Sequence, residues 1–193
     1  MTMTVETRRL ALRPVEAQDA AATARLMTPL VAGELISWPS PMTAAQAAER
    51  IERSAAGLVA ADSADLAILD RRSGALLGWI GAAVIGGERR LGTLGYWLGE
   101  DFHDQGYMTE AARAAVPWFA QALRLDAIEA CIHPHNFASQ AIVEGLGFQL
   151  KGRRRIFADT RGAEEDFITF AVPSAVLCAA AARRANRKAA AIG

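Results

Sequence analysis

The residues with the clearest capacity for chemistry run from Gly95 to Ala112, GYWLGEDFHDQGYMTEAA, which reads as an apolar strand, a short polar loop and the opening of a helix. The first four amides of a helix lack intrahelical partners, and the helix dipole adds positive potential there, so a loop entering that turn can hold phosphate oxygens. Gly106 supplies the bend, because a residue without a Cβ tolerates positive φ and lets a ligand approach the main chain. No lysine lies in the loop, so main-chain donors do most of the holding. Other reactive groups stand nearby in sequence: the carboxylates Glu100, Asp101 and Asp104, and farther on Glu129, His133 and the Ser139 hydroxyl. His133 and His135 form an H-x-H pair, but no carboxylate or cysteine completes a recognisable ligand set, so no metal site is expected. Cys131 reads as core filling of its strand.

These groups need elements to position them. Residues 7–15 alternate apolar and polar side chains and read as a strand stopped by Pro14. Asp19 caps a short helix over residues 19–27, which Thr28 and Pro29 end. Pro39 and Pro41 break the segment around Trp38, and Thr43 caps a longer helix reaching about Ala60. Residues 65–70 and 76–85 form a hairpin turning at Ser73 and Gly74, and Leu91–Leu98 continues the meander after a turn at Gly86, Gly87 and Glu88. A helix over residues 109–123 follows, with a kink expected at Pro117. Ala127–Ile132 is a buried strand, residues 139–145 a short helix, and residues 148–157 and 165–171 the closing strands. Internal repeats and low-complexity linkers are absent.

The 193 residues suit one domain, 1–173, followed by an alanine-rich basic tail, 174–193, carrying Arg183, Arg184, Arg187 and Lys188. The tail reads as a solvated C-terminal helix, with a local contact to an acidic partner or RNA as the alternative. Across the chain 21 basic and 21 acidic side chains cancel, so no global field draws the protein onto nucleic acid. Hydrophobic residues make up 52%, yet no apolar run approaches the ~20 residues of a membrane span. The N-terminus lacks a signal-peptide core, and Cys131 and Cys178 form no disulfide framework; both favour a cytoplasmic enzyme with reduced thiols.

The string GYWLGEDFHDQGYMTEAA, followed by HPHNFASQAIVEGLGF, resembles the GNAT acetyltransferases, in particular the branch of bacterial ribosomal-protein N-terminal acetyltransferases. The opening TRRLALRP and closing EEDFITFAV are also similar to that branch, so the resemblance covers residues 7–172. It implies an α+β fold with α/β/α layers: a mixed, mostly antiparallel sheet of six to seven strands, splayed fourth and fifth strands, and about four helices. It implies an acetyl-CoA co-substrate, no metal, and an amine acceptor that is a protein N-terminus or a small molecule, on a monomer or homodimer.

The family's pyrophosphate motif, Q/R-x-x-G-x-G/A, reads here His103, Asp104, Gln105, Gly106, Tyr107, Met108, with Thr109 following. The central glycine matches. His103 stands where Gln or Arg is usual, Met108 replaces a small residue, and Asp104 stands where many relatives have glycine and is expected to turn from the anion. By resemblance, backbone near Trp97, Leu98 and Gly99 binds the pantetheine arm and polarises the thioester. Asn136 and Ser139 match N-x-x-S; Asn136 is equally readable as a helix cap. Many relatives carry a tyrosine acid at the position of Val143, so Ser139 is the substitute candidate beside the leaving sulfur. Glu100 occupies the position of a candidate catalytic base, with Glu129 and His133 in reserve. Residues 29–41 and 157–164 would form the acceptor site, with Trp38 a wall. Arg153, Arg154 and Arg155 could attract an acidic acceptor or the CoA 3′-phosphate, or form a solvated strand edge. A catalytically silent acyl-CoA-binding module is the reading from a different class.

Overall fold

The computed structural model describes residues 4–86 and 90–190, the side chains at 184, 185 and 187–190 excepted. The alternating and apolar segments build one eight-stranded sheet from β1 (Val5–Glu6), β2 (Leu10–Pro14), β3 (Ser63–Asp70), β4 (Leu76–Val84), β5 (Leu91–Leu98), β6 (Ala127–Ile132), β7 (Gln149–Ala158) and β8 (Ala163–Pro173). Their spatial order is β1-β2-β3-β4-β5-β6-β8-β7. Every neighbouring pair is antiparallel except β5 and β6, which are parallel. The expected six to seven strands become eight because the expected strand over residues 7–15 forms as β2 (Leu10–Pro14) and a two-residue strand before it, β1, pairs with it at the edge.

Helices cover both faces, giving the α/β/α layers. On one face lie α1 (Ala20–Leu26), α2 (Pro29–Gly33) and α3 (Ala44–Ala60), packed with Ala67, Trp79 and Trp97 of the sheet. On the other lie α4 (Tyr107–Ala122), α5 (Phe137–Glu144) and α6 (Ser174–Ala190), over Leu66, Ile80, Leu94 and Ile128. Thr43 and Gln46 form a reciprocal capping box that starts α3. The additional helix α2 arises because Thr28 accepts from the Val31 amide and Pro29 sits at the first helical position. Thr-Pro therefore starts a helix where a stop was expected.

The helix α4 runs unbroken through Pro117. Its buried face, including Ala111, Ala115, Val116 and Phe119, is 0% exposed at those four positions, and that burial outweighs one lost backbone bond. The last helix begins by docking: Leu177 is buried in the core beside α4. The side chains of Arg184, Arg187 and Lys188 in the expected basic cluster lie outside the described residues, as do Gly87 and Glu88 of the expected turn.

One topological feature positions everything that follows. A parallel pair needs a long crossover, and α4 supplies it between β5 and β6. Their pairing consists of Leu91 with Ala127, Gly92 with Ile128 and Thr93 with Glu129. Beyond Thr93 and Glu129 the strands part, leaving the backbone of Leu94–Leu98 unpaired on the β6 side.

Candidate active site

A cleft of about 1140 Å³ occupies the opening between the parted strands. At one end stands the N-terminus of α4, at another the first turn of α5, and on the opposite sheet face a tryptophan cluster. Trp38 meets Trp79 and Trp97 edge-on at 5.2 and 5.3 Å between ring centroids. The Trp79 indole donates to the buried Thr23 hydroxyl at 3.0 Å, which fixes the cluster's orientation.

The α4 end has the geometry of an anion cradle. Gly106 caps the helix at φ 72°, in the left-handed region, and Asp104 two residues earlier also has positive φ, 56°. Asp104 thus takes a conformation that suits the glycine common in relatives, and its exposed side chain forms no ion pair among the described residues. A single arginine locks this loop in place. Arg9 donates through Nε to Glu110 Oε2 at 2.7 Å, through its backbone amide to Glu110 Oε1 at 2.8 Å, and through Nη1 to the Gln105 carbonyl at 2.9 Å. Its guanidinium also covers the Tyr107 ring, 4.4 Å from the centroid. Burial pushes the Glu110 carboxyl up, but donation from Thr7 and Arg9, with the Arg9 charge, holds it below its ordinary range. That pairing neutralises Glu110, the acid of the first turn of α4, while the exposed Asp104 of the loop before it lines the cleft without an ion pair among the described residues. The loop and helix therefore fit the pyrophosphate of a nucleotide-type co-substrate.

Most of the sequence-derived site residues converge on the cleft. Trp97 and Leu98 line it from β5; His103, Asp104, Gly106, Tyr107, Met108 and Thr109 line it from the cradle. Asn136 and Ser139 line it from α5, and Trp38 from the segment after α2. The Asn136 side chain accepts from the Ser139 amide at 3.0 Å, so it caps α5, and it also donates to Glu34 at 2.8 Å. His103 reaches back to the Leu98 carbonyl at 3.0 Å.

Three others stand apart from the lining. The Gly99 amide donates to the Leu77 carbonyl at 2.9 Å, and the Gln105 side chain donates to the Asp101 carbonyl at 2.7 Å. The exposed Glu100 carboxylate accepts from the Thr28 hydroxyl at the start of α2. Of the reserve candidates, Glu129 is held by Arg154 at 2.9 Å. His133 lines the cleft instead, 7% exposed, with Nε2 3.4 Å from Glu165. Burial lowers its pKa, which keeps the imidazole neutral near pH 7. Arg155 pairs with Glu164 at 3.1 Å, so two of the three consecutive arginines serve the strand edge.

Two cleft residues escaped sequence reading. Val143, at the position where many relatives hold an acid, is 0% exposed in the core. A phenol reaches the same neighbourhood from β5: Tyr96 donates to the Ser139 carbonyl at 3.2 Å. Burial pushes its pKa up to about 12, so it stays protonated. The other is Asp65 on β3, which faces the cleft across Gly81. Neither has a local sequence signal, since strand alternation assigns a face but not what lies opposite. Among the described residues no group of three or more His, Cys, Asp and Glu is placed to hold a metal, and no helix is long and apolar enough to cross a membrane.

A mostly antiparallel sheet that opens at its one parallel pair, beside a glycine-capped helix N-terminus, defines an acyltransferase architecture. The family model for the acetyltransferase (GNAT) domain matches residues 9–149, and the chain belongs to that family. The probable N-acetyltransferase YjcK of Bacillus subtilis (strain 168) is 33% identical over 89 residues, 46% of this chain and 49% of that protein, so the match spans about half of the relative's length. Among solved structures, Mycobacterium smegmatis RimJ in complex with CoA-disulfide superposes with a TM-score of 0.74 at 24% identity, covering 94% of this chain and 96% of that one. The ribosomal-protein-S5-alanine acetyltransferase of Vibrio fischeri gives 0.75 at 21% identity, with 89% and 97% covered. At these identities the structural likeness establishes the fold.

Proposed function

We propose that this chain moves an acetyl group from acetyl-CoA to a primary amine by direct transfer within a ternary complex. The observation that carries the reading is the continuity of the cleft, from the Gly106 cradle along the unpaired edge of β5 to the tryptophan-lined face. Acetyl-CoA bound there would supply an activated acyl group on a thiol leaving group. Amides at the N-terminus of α4 hold its pyrophosphate, and the free β5 edge takes up the arm leading to the thioester.

The residues at α5 suit the departing sulfur. Ser139 stands in the first turn of α5 and lines the cleft, and Tyr96 carries a proton that it keeps throughout the neutral range. Tyr96→Phe is expected to lower kcat about 100-fold, within the span of general acid catalysis, while the KM for acetyl-CoA changes little. Ser139→Ala is expected to cost about tenfold, since Tyr96 remains. Steady-state kinetics with a thiol reagent measure both, and a Tyr96→Phe enzyme of wild-type kcat would remove the phenol from the mechanism.

The acceptor we favour is a protein or peptide N-terminus. An α-amine has a pKa near ~8 against ~10.4 for lysine, so it needs less help to become a nucleophile. Several fold neighbours, including the S5-alanine acetyltransferase, are named as ribosomal-protein acetyltransferases, which points the same way. A small-molecule amine of lowered pKa is the second reading, supported by the enclosed tryptophan face. Incubating the protein with labelled acetyl-CoA and a panel of peptides and small amines separates the two. No CoA-induced thermal shift and no CoA thiol released with any amine would defeat the proposal altogether; CoA binding without turnover would leave a silent binding module.

A further inference from the structure

The register of β3, β4 and β5 places Asp65, Gly81 and Gly95 in one row across the sheet face that carries the tryptophans. The two glycines leave that row without side chains between Asp65 and the open edge of β5. Asp65 Oδ1 occupies the space a Gly81 Cβ would need, while a Cβ on Gly95 would meet nothing within 4 Å. The result is a bare trough, with Trp79 and Trp97 paired along one side and Ala83 and Thr93 along the other. At its inner end lies a carboxylate, about one strand spacing, ~4.8 Å, from the backbone where the strands part.

We infer that Asp65 is the carboxylate that receives the acceptor's ammonium group and takes its proton. This rests on the acetyl-transfer reading above and assigns the acceptor end of that same site. The surroundings suit the role. Two arginines of α3, Arg50 and Arg53, line the cleft nearby; the Arg50 guanidinium lies 4.2 Å from the Trp38 ring centroid and donates to the Ser37 carbonyl, so its charge reaches Asp65 without a direct ion pair. Among the described residues no basic side chain forms an ion pair with Asp65. Ser54 and Ser63 flank it, and the strands opposite contribute Gly81, Gly95, Ala83, Thr93 and the two indoles of Trp79 and Trp97, none of them charged. Burial raises the Asp65 pKa, and the Ser54 hydroxyl and Arg50 draw it partly back, so it is a stronger base than an exposed aspartate. Glu100, by contrast, is exposed and engaged by Thr28 outside the cleft lining.

The proton count closes. Asp65 takes one proton from the ammonium; the freed amine forms a bond to the acyl carbon as the carbon–sulfur bond breaks. The nitrogen's second departing proton goes to the thiolate through the Tyr96 and Ser139 hydroxyls. Asp65 then returns its proton to solvent, leaving an amide, a thiol and one proton released.

The test is Asp65→Asn, which keeps shape and removes charge. It is expected to lower kcat/KM for the amine about 100-fold or more while leaving the CoA-induced thermal shift intact. The melting temperature gives a second, activity-free readout. Because burial raises the pKa of Asp65 in the fold, its charge costs stability once the pH is above that pKa. The variant is therefore expected to melt higher than wild type at pH 7, and the gain should vanish as the pH falls below the ordinary aspartate range. Gly95→Val, for which the free protein has room, should raise the amine KM without unfolding the chain. Turnover by Asp65→Asn within threefold of wild type overturns the assignment alone, as does a loss of turnover accompanied by a lowered melting temperature. A wild-type protein that binds CoA but acetylates no amine overturns both the assignment and the reading on which it rests.

Discussion

Gly106→Val lowers the affinity for CoA by about 100-fold or more, and the CoA-induced rise in melting temperature disappears. Two effects combine. The left-handed conformation at φ 72° is unfavourable for an L-residue by about 1–2 kcal/mol, and more for a β-branched one. Relieving that strain turns the loop, so the amides entering α4 no longer converge, and each charge-assisted bond lost to a phosphate is worth roughly 1.5–3 kcal/mol. Together these exceed the ~2.7 kcal/mol that corresponds to 100-fold. The protein itself has room for the change, because the nearest atom to a Cβ at this position is Arg9 Nη2 at 3.6 Å. Far-UV circular dichroism of the unliganded variant should therefore match wild type while calorimetric CoA binding collapses. Gly106→Ala, which tolerates positive φ better than valine, should lose less. A valine variant with wild-type CoA affinity would show that the anion is held elsewhere.

The cradle was legible because its information is local: a strand, a glycine and a helix start within a dozen residues. The same holds for β5 and β6, whose bounds the sequence indicates to the residue, and for α3 with its Thr43 cap. What stayed hidden depends on pairs far apart in the chain. Arg9 meets Glu110 across 101 residues, and nothing in TRRL says which acid it will find. Asp65 looks like the polar start of a strand until the register sets it over Gly81. Tyr96 alternates onto the face opposite Trp97, so its meeting with α5 follows from where the crossover helix returns the chain. The helix α2 shows a different limit: Thr-Pro is both a helix-ending and a helix-starting signal, and the buried Val31 and Ala32 decide between them.

Glu110→Gln is expected to weaken both the fold and the cradle, and to do so in a pH-dependent way. In the native chain Glu110 accepts from the Thr7 hydroxyl, the Arg9 amide and the Arg9 guanidinium, and these partners more than offset its burial, leaving its pKa depressed. A depressed carboxyl pKa stabilises the fold above the unfolded value, near ~4.3 for glutamate, and the contribution fades as pH falls through the folded value. At pH 7 the wild type therefore has the full benefit. The glutamine keeps acceptor geometry for Thr7 but loses the charge opposite Arg9, at a cost of about 2–3 kcal/mol for a charged hydrogen-bonding network. For a chain of this size that lowers the melting temperature by roughly 4–12 °C. Arg9, released from Glu110, also loosens its hold on the Gln105 carbonyl, so CoA affinity should fall with stability. Melting curves from pH 7 down to pH 3 provide the check. The gap between wild type and Glu110→Gln should be widest at neutral pH and should close as Glu110 protonates, whereas a pH-independent gap would mean that packing, and not the Arg9 pair, fixes the first turn of α4.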